Sequence, residues 1–255
     1  MKTALLQLIK HYWGIALLVF AWQAMVMVSG FNEIVVPSPT MVIQALVAEP
    51  LYFLHHSAYT FSAAIGGLML GIALGLLFAS LAWLTPVLDG VITPATLLVR
   101  SIPIVAFIPI VIRLAGYGSQ TILLVTVMLT FFPCYVFALT GLRSPSKAHQ
   151  DFFASLGCRP SGLATWRFYW RLALPSAVPN LLTALRLLAP TCVLVALVAE
   201  FLMGAQGLGY VMVRARSDLR MDVSWAAAML ATVFSVAFFV AASRLEAHLS
   251  KVWRH

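Results

Sequence analysis

Apolar residues in this chain come in long runs, separated by shorter polar connections that hold most of its charge. A helix of about 20 apolar residues crosses a hydrocarbon core of roughly 30 Å. Six segments reach that length, at residues 12–30, 59–84, 97–115, 119–142, 177–203 and 224–244. Lipid offers no partner for backbone N–H and C=O groups, so each run must close its own hydrogen bonds as a helix. None alternates apolar and polar residues as a lipid-facing barrel strand does. The pattern predicts an all-α integral membrane protein of about six transmembrane helices. Residues 1–255 are expected to form a single transmembrane domain, with no room for a separate soluble module.

Composition agrees, since 62% of the residues are hydrophobic and 9% charged, against roughly 25% charged in an ordinary soluble domain. Lysine and arginine then decide orientation, because short connections that carry them stay in the cytoplasm. Lys2 and Lys10 precede the first run, Arg143, Lys147, Arg159, Arg167 and Arg171 follow the fourth, and Lys251 and Arg254 follow the sixth. Even numbers of crossings separate these groups, so both termini are expected in the cytoplasm. The connection at 31–57 holds Glu33 and Glu49 but no lysine or arginine, and is expected outside. Arg214, Arg216 and Arg220 in the last outer connection dissent, offset in part by Asp218 and Asp222. The first run exceeds the usual length of a secretory signal core and is followed by no small-residue cleavage site, so it is read as a retained span. The net charge of +8 suits this bias and a surface of anionic membrane lipids, and calls for no nucleic acid.

Individual residues add candidate sites. Gly67, Gly71 and Gly75 recur every four residues, aligning bare backbone on one helical face where a neighbour can pack closely. The third run contains Pro103 and Pro109 between Arg100 and Arg113, so a straight lipid-exposed helix is not expected there. The two arginines either snorkel to the interfaces or face a pathway. Glu200 lies near the outer end of a long apolar run, where a carboxylate needs water, a partner or a pore. It is expected to cap or pair with an outer arginine, or to meet substrate. Arg186 lies about 21 Å away along the same helix, too far to be that arginine. Cys134, Cys158 and Cys192 form no Cys-x-x-Cys pair, so they are expected to be packing residues rather than metal ligands. His55 and His56 are expected to be solvated near the outer interface.

Several functions are excluded. None of the four lysines follows a glycine, so a phosphate-cradling Gly-x-x-x-x-Gly-Lys-Ser/Thr loop is missing. Neither His-Glu-x-x-His nor Gly-x-Ser-x-Gly occurs, which leaves a hydrolase without its metal or nucleophile. The chain is not expected to be an enzyme or to hold a cofactor or metal of its own. An ion-gradient-driven secondary transporter or channel stays open as an alternative, although only Glu200 is plainly an intramembrane acid and no inverted repeat stands out.

The polar, basic stretch at 143–176 is unusually long for a connection between spans. It carries Asp151-Phe152-Phe153-Ala154-Ser155-Leu156-Gly157 and, further on, Leu174-Pro175. It resembles the cytoplasmic loop of importer permeases in the ATP-binding-cassette superfamily, where Glu-Ala-Ala, a glycine three residues later and a downstream Leu-Pro mark the helix that engages the ATPase. Here Asp151-Phe152-Phe153 replaces Glu-Ala-Ala, and seventeen residues separate Gly157 from Pro175. Val36-Pro-Ser-Pro-Thr40, Pro86-Val-Leu-Asp89, the proline-rich third run followed by Gly116-Tyr-Gly118, and Ala199-Glu-Phe-Leu-Met-Gly204 through Gly207-Leu-Gly-Tyr210 are similar in order to the sulfonate, taurine and nitrate group of these permeases. The resemblance implies a type I importer fold and a homodimer forming the pathway. It also implies two partner ATP-binding subunits that carry ATP and magnesium, an extracytoplasmic solute-binding protein, and a place in the bacterial inner membrane. The implied cargo is a small organic anion such as a sulfonate or taurine. Asp151 to Gly157 with Leu174 and Pro175 would be the ATPase-coupling residues, and Arg100, Arg113, Arg186 and Glu200 the pathway or gate candidates.

Overall fold

The computed structural model describes the backbone at residues 2–30, 32, 34–157 and 164–253, and the side chains there except at 2–12, 15, 99, 164 and 251–253. The side chains of Lys2, Lys10, Glu33, Cys158, Arg159, Lys251 and Arg254, read above for charge or packing, lie outside the described residues. Helices account for the architecture throughout: α1 (Lys2–Ser29), α2 (Pro39–Ala48), α3 (Pro50–Leu84), α4 (Pro86–Arg100), α5 (Ile104–Ala115), α6 (Ser119–Leu142), α7 (Lys147–Ser155), α8 (Ala164–Phe168), α9 (Leu174–Met203), α10 (Leu208–Ser217) and α11 (Met221–Trp253). A wider helical turn at Tyr169–Ala173 joins α8 to α9 without a break. Four helical stretches among the described residues are long and apolar enough to cross a membrane: Pro50–Leu84, Ser119–Leu142, Thr165–Met203 and Met221–Ser250. α1 and the α4–α5 pair stand where the first and third spans were expected.

The third run departs from a single span. Pro103 has no backbone N–H and disfavours helical geometry at Ile102, so the chain leaves the helix at Ser101 and re-enters it at Ile104. α4 begins well before residue 97, because Pro86 suits a helix start and the Thr85 hydroxyl accepts a hydrogen bond from the Leu88 N–H at 3.3 Å. Residues 86–94, ahead of the expected third span, are therefore helical. The second run also starts early, at Pro50, which draws His55 and His56 out of the expected connection and into α3.

The long basic connection is shorter than its composition suggested. Among the described residues of this connection, 147–157 stand apart from the bundle, and from Ala164 the chain is helical into α9. Phe168, Tyr169 and Leu172 are buried. The Tyr169 hydroxyl lies 2.7 Å from the Ser80 hydroxyl on α3, and the Phe168 ring stacks on Trp83 at 6.0 Å. The aromatic cluster is thus part of the bundle wall. Its apolar rings outweigh Arg167 and Arg171, which sit at its margin.

α3, α6 and α9 make the centre of the bundle, around Leu68, Ile122, Val125, Leu188, Val193 and Ala196. The glycine face of α3 meets α6. A Cβ added at Gly67 would stand 2.5 Å from the Thr126 Cβ, one at Gly75 would stand 2.6 Å from the Cys134 Cβ, and one at Gly71 would overlap the Thr130 hydroxyl. That hydroxyl donates to the Gly67 carbonyl at 3.3 Å and to the Thr126 carbonyl at 2.8 Å. Close approach and a hydroxyl donor to the neighbouring backbone are the usual substitutes for hydrophobic drive between helices in lipid. On the periphery, Trp22 of α1 stacks on Trp225 of α11 at 5.1 Å. Large apolar side chains such as Leu18, Phe20, Val28, Val233 and Val236 point outward, as a hydrocarbon surround requires.

A bulky residue cannot enter the α3–α6 seam, so Gly71→Leu should lower stability by about 1–3 kcal/mol. Thermal unfolding in detergent measures this, with Gly90→Ala, where an added Cβ meets nothing within 4 Å, as the neutral control. Equal stabilities would remove the seam as a packing constraint.

Candidate functional site

Two regions collect the chemistry read from the sequence, at opposite ends of the bundle. At one end α7 projects between α6 and α8. Ser146 caps it, its hydroxyl accepting from the His149 N–H at 3.3 Å, and the Gln150 amide donates to the Pro145 carbonyl at 2.8 Å. The helix thus starts at Lys147, which places Asp151 in its middle and not at the N-terminal turn where the dipole would favour a carboxylate. No residue of α7 is fully buried. Phe153 packs against the buried cluster that includes Tyr135 and Tyr169, while Phe152 and Leu156, four residues apart on one face, are 60% and 62% exposed. Gly157 ends the helix at φ +78°, a conformation that favours glycine. Leu174 and Pro175 do not join this projection; they sit where the wide turn enters α9, in the bundle wall. A salt bridge of 2.8 Å between Arg143 and Asp89 ties the α6 end, from which α7 departs, to the first turn of α4.

At the other end the chain leaves α9 through Gly204 at φ +65° and enters α10 through Gly207 at φ +96°. The first N–H groups of a helix have no partner within it, and here three consecutive ones find side chains from other helices. Gly207 N–H donates to His56 Nδ1 at 3.1 Å, Leu208 N–H to the Thr60 hydroxyl at 2.9 Å, and Gly209 N–H to Glu200 Oε2 at 3.0 Å. The Thr60 hydroxyl in turn donates to Glu200 Oε2 at 2.8 Å. Glu200 is 0% exposed. Its acceptor oxygen faces the positive end of the α10 dipole, a favourable placement. Gly207 and Gly209 are what allow the approach. A Cβ on Gly207 would overlap the Glu200 carboxylate, and one on Gly209 would stand 2.6 Å from the Phe201 backbone nitrogen.

The other site residues fall outside both regions. Glu200 pairs with no arginine among the described residues; Arg220 instead meets Glu49 at 3.1 Å and Asp222 at 3.8 Å, and Arg214 meets Asp218 at 3.7 Å. Arg186 forms a 2.9 Å ion pair with Glu246 of α11, whose other oxygen accepts from Thr183 at 2.8 Å. Arg113 is exposed in the last turn of α5. Arg100 holds its guanidinium 5.0 Å from the centre of the Phe132 ring. The sequence offered no direct sign of the roles of His56 and Thr60, although their spacing of four residues puts them on one face of α3.

Glu200→Ala should leave the Gly209 N–H buried without an acceptor and cost about 1–3 kcal/mol, with Glu200→Gln losing less because an oxygen can remain in place. Hydrogen exchange at residues 207–211 measures it: protection should fall for Ala. Equal protection in Ala, Gln and the parent would show that α10 does not need this cap.

Residues 71–254 match the family described as Binding-protein-dependent transport system inner membrane component. A probable ABC transporter permease protein of Haemophilus influenzae is 26% identical over 92% of this chain and 94% of its own length. The formylaminopyrimidine transport permease protein of Halalkalibacterium halodurans is 30% identical over 86% and 85%. The taurine transport system permease protein of Escherichia coli is 26% identical over 89% and 82%. Among solved structures, the MetNI methionine ABC transporter in inward-facing conformations gives a TM-score of 0.59 at 18% identity, covering 83% of this chain and 97% of that one, a likeness of fold. The chain belongs to the binding-protein-dependent transport inner membrane family, as a multi-pass permease of the ABC importer type.

Proposed function

We infer that this permease carries a small organic anion, such as a sulfonate or taurine, into the cytoplasm by alternating access, driven by ATP hydrolysed on a separate subunit. The relatives' names span formylaminopyrimidine, taurine, riboflavin, aliphatic sulfonates, trimethylamine N-oxide and nitrate; taurine, the sulfonates and nitrate share an anionic group. Two copies of this chain would frame the pathway. Two ATP-binding subunits holding ATP and magnesium would sit beneath α7, and a solute-binding protein would dock at the α10 end. Both termini and α7 would then lie in the cytoplasm, where the basic residues flanking α7 favour placement.

One observation carries the reading: α7 is a short helix held outside the bundle with Phe152 and Leu156 exposed on one face. Exposed apolar side chains on a water-facing helix are costly unless a partner covers them. Phe153 packs against the buried cluster of the bundle, and α6 leads into α7 through a short connection, so a push on α7 is delivered to the bundle. The ATPase closing beneath two copies would move both α7 helices together, and the state of the bundle that fits the closed ATPase would gain population by that differential contact.

The test is copurification. Tagged chain should capture an ATP-binding subunit, and Phe152→Asp with Leu156→Asp, or deletion within 151–157, should abolish capture while leaving membrane insertion intact. Gly157→Asp should lower coupling between substrate and ATP hydrolysis, because a φ of +78° strains any residue with a side chain. Unchanged capture in the double aspartate variant, together with full substrate-stimulated hydrolysis in Gly157→Asp, would remove α7 from the ATPase contact.

A further inference from the structure

We propose that Arg100, at the break between α4 and α5, is the site within the membrane that holds the oxyanion group of the cargo. This rests on the importer reading and adds a residue and a chemistry to it.

Depth comes first. Arg100 lies over Phe132, which is 13 residues from the start of α6 and 10 from its end, so about 20 Å and 15 Å from the two ends at about 1.5 Å per residue. The guanidinium therefore sits near mid-membrane, further from either surface than its side chain reaches. A charge at that depth in lipid is costly and is kept where it meets water, a counter-charge or a ligand. Among the described residues no carboxylate serves it. Asp89, Glu246, Asp218, Glu49 and Asp222 pair with other arginines, Glu200 caps α10, and Asp151 stands on α7. The Arg100 guanidinium also makes no hydrogen bond among the described residues, whereas its face is occupied by the Phe132 ring. A guanidinium carried on an aromatic face keeps its N–H donors in the plane, where they suit a carboxylate or sulfonate.

Arg100 lines an open cavity of about 240 Å³ with Phe107 of α5, Phe132 of α6, and Leu188 and Thr191 of α9. That is below the roughly 300 Å³ at which pockets for drug-sized ligands begin, so the cavity suits a small anion with a short apolar body. The start of α5, which no side chain caps, opens at the same break and adds a positive helix end. Arg113 does not compete for the role, because the last turn of α5 is a favourable place for a cation without any ligand. Arg186 does not either, because Glu246 neutralises it.

The test uses the whole chain in lipid nanodiscs, with its native cysteines replaced by serine or alanine and Thr191→Cys as a reporter across the cavity from Arg100. Two water-soluble methanethiosulfonates probe it, one bearing a sulfonate and one a trimethylammonium. The reporter should react, with the anionic reagent favoured, and Arg100→Gln should lower the anionic-to-cationic rate ratio about tenfold. Arg100→Lys, which keeps the charge, should preserve most of it. Methanesulfonate or nitrate should slow the reaction only when Arg100 is present. A reporter that reacts solely with lipid-soluble maleimides, a ratio indifferent to Arg100→Gln, or no protection by either anion overturns the proposal. ATPase capture is measured on the same proteins so that the two readings separate. An Arg100-dependent cavity in a chain that captures no ATPase supports the anion site and removes the importer reading. Capture by a chain whose cavity ignores Arg100 overturns the anion site alone.

Discussion

Hydrocarbon supplies no hydrogen-bond partners, and the placement of nearly every polar group in this chain follows from that constraint. Helices satisfy their own interiors, so the difficulty concentrates at helix ends and breaks. At the start of α10 it is met by bringing His56, Thr60 and Glu200 from two other helices onto three consecutive N–H groups. Such a cap can form only if α3, α9 and α10 touch, which makes a local need of the backbone into a long-range constraint on the bundle. Gly207 and Gly209 are the condition for that contact, since any side chain there would occupy the space of the carboxylate or of the α9 backbone.

The same economy of close approach governs the α3–α6 seam, where three glycines let Thr126, Thr130 and Cys134 pack against bare backbone. Where bare backbone rather than interlocking side chains makes the contact, a seam resists separation through contact area while presenting few obstacles to sliding. For a protein proposed to alternate between two bundle states, that combination suits movement transmitted from α7 at one end to the α9–α10 turn at the other. Ion pairs take a different part. Arg143 with Asp89, and Arg220 with Glu49, lie near the two ends and are 30–50% exposed, so each contributes little stability. Their use is to fix where α4 meets α6 and where α10 and α11 meet α3.

Resemblance and placement part company at the coupling loop. Asp151 to Gly157 form a projecting helix with its cap and its left-handed end, whereas Leu174 and Pro175 belong to the wall of α9. Sequence alone joined them into one polar stretch because Arg167 and Arg171 hide the apolar character of Phe168, Tyr169 and Leu172 between them. Side-chain burial against Ser80 and Trp83 decides the matter, and burial depends on which helix happens to lie alongside.

What the amino-acid sequence determined by itself is whatever depends on neighbours along the chain: long apolar runs that must be helices, an all-α membrane class, prolines that break the third run, and glycines at four-residue spacing on one face. The family was legible too, because its motifs are local. The partners of charged residues were not. Glu200 was expected to cap or pair with an outer arginine or to meet substrate, and Arg100 was placed toward the end of a span; the fold puts the carboxylate on the backbone of α10 and the guanidinium over Phe132, in the middle of α6. Both outcomes turn on contacts between residues far apart in the chain, 140 positions in the case of Thr60 and Glu200. Period and composition carry no information about such pairs. They are decided when the helices pack and a buried polar group meets whichever partner comes within reach.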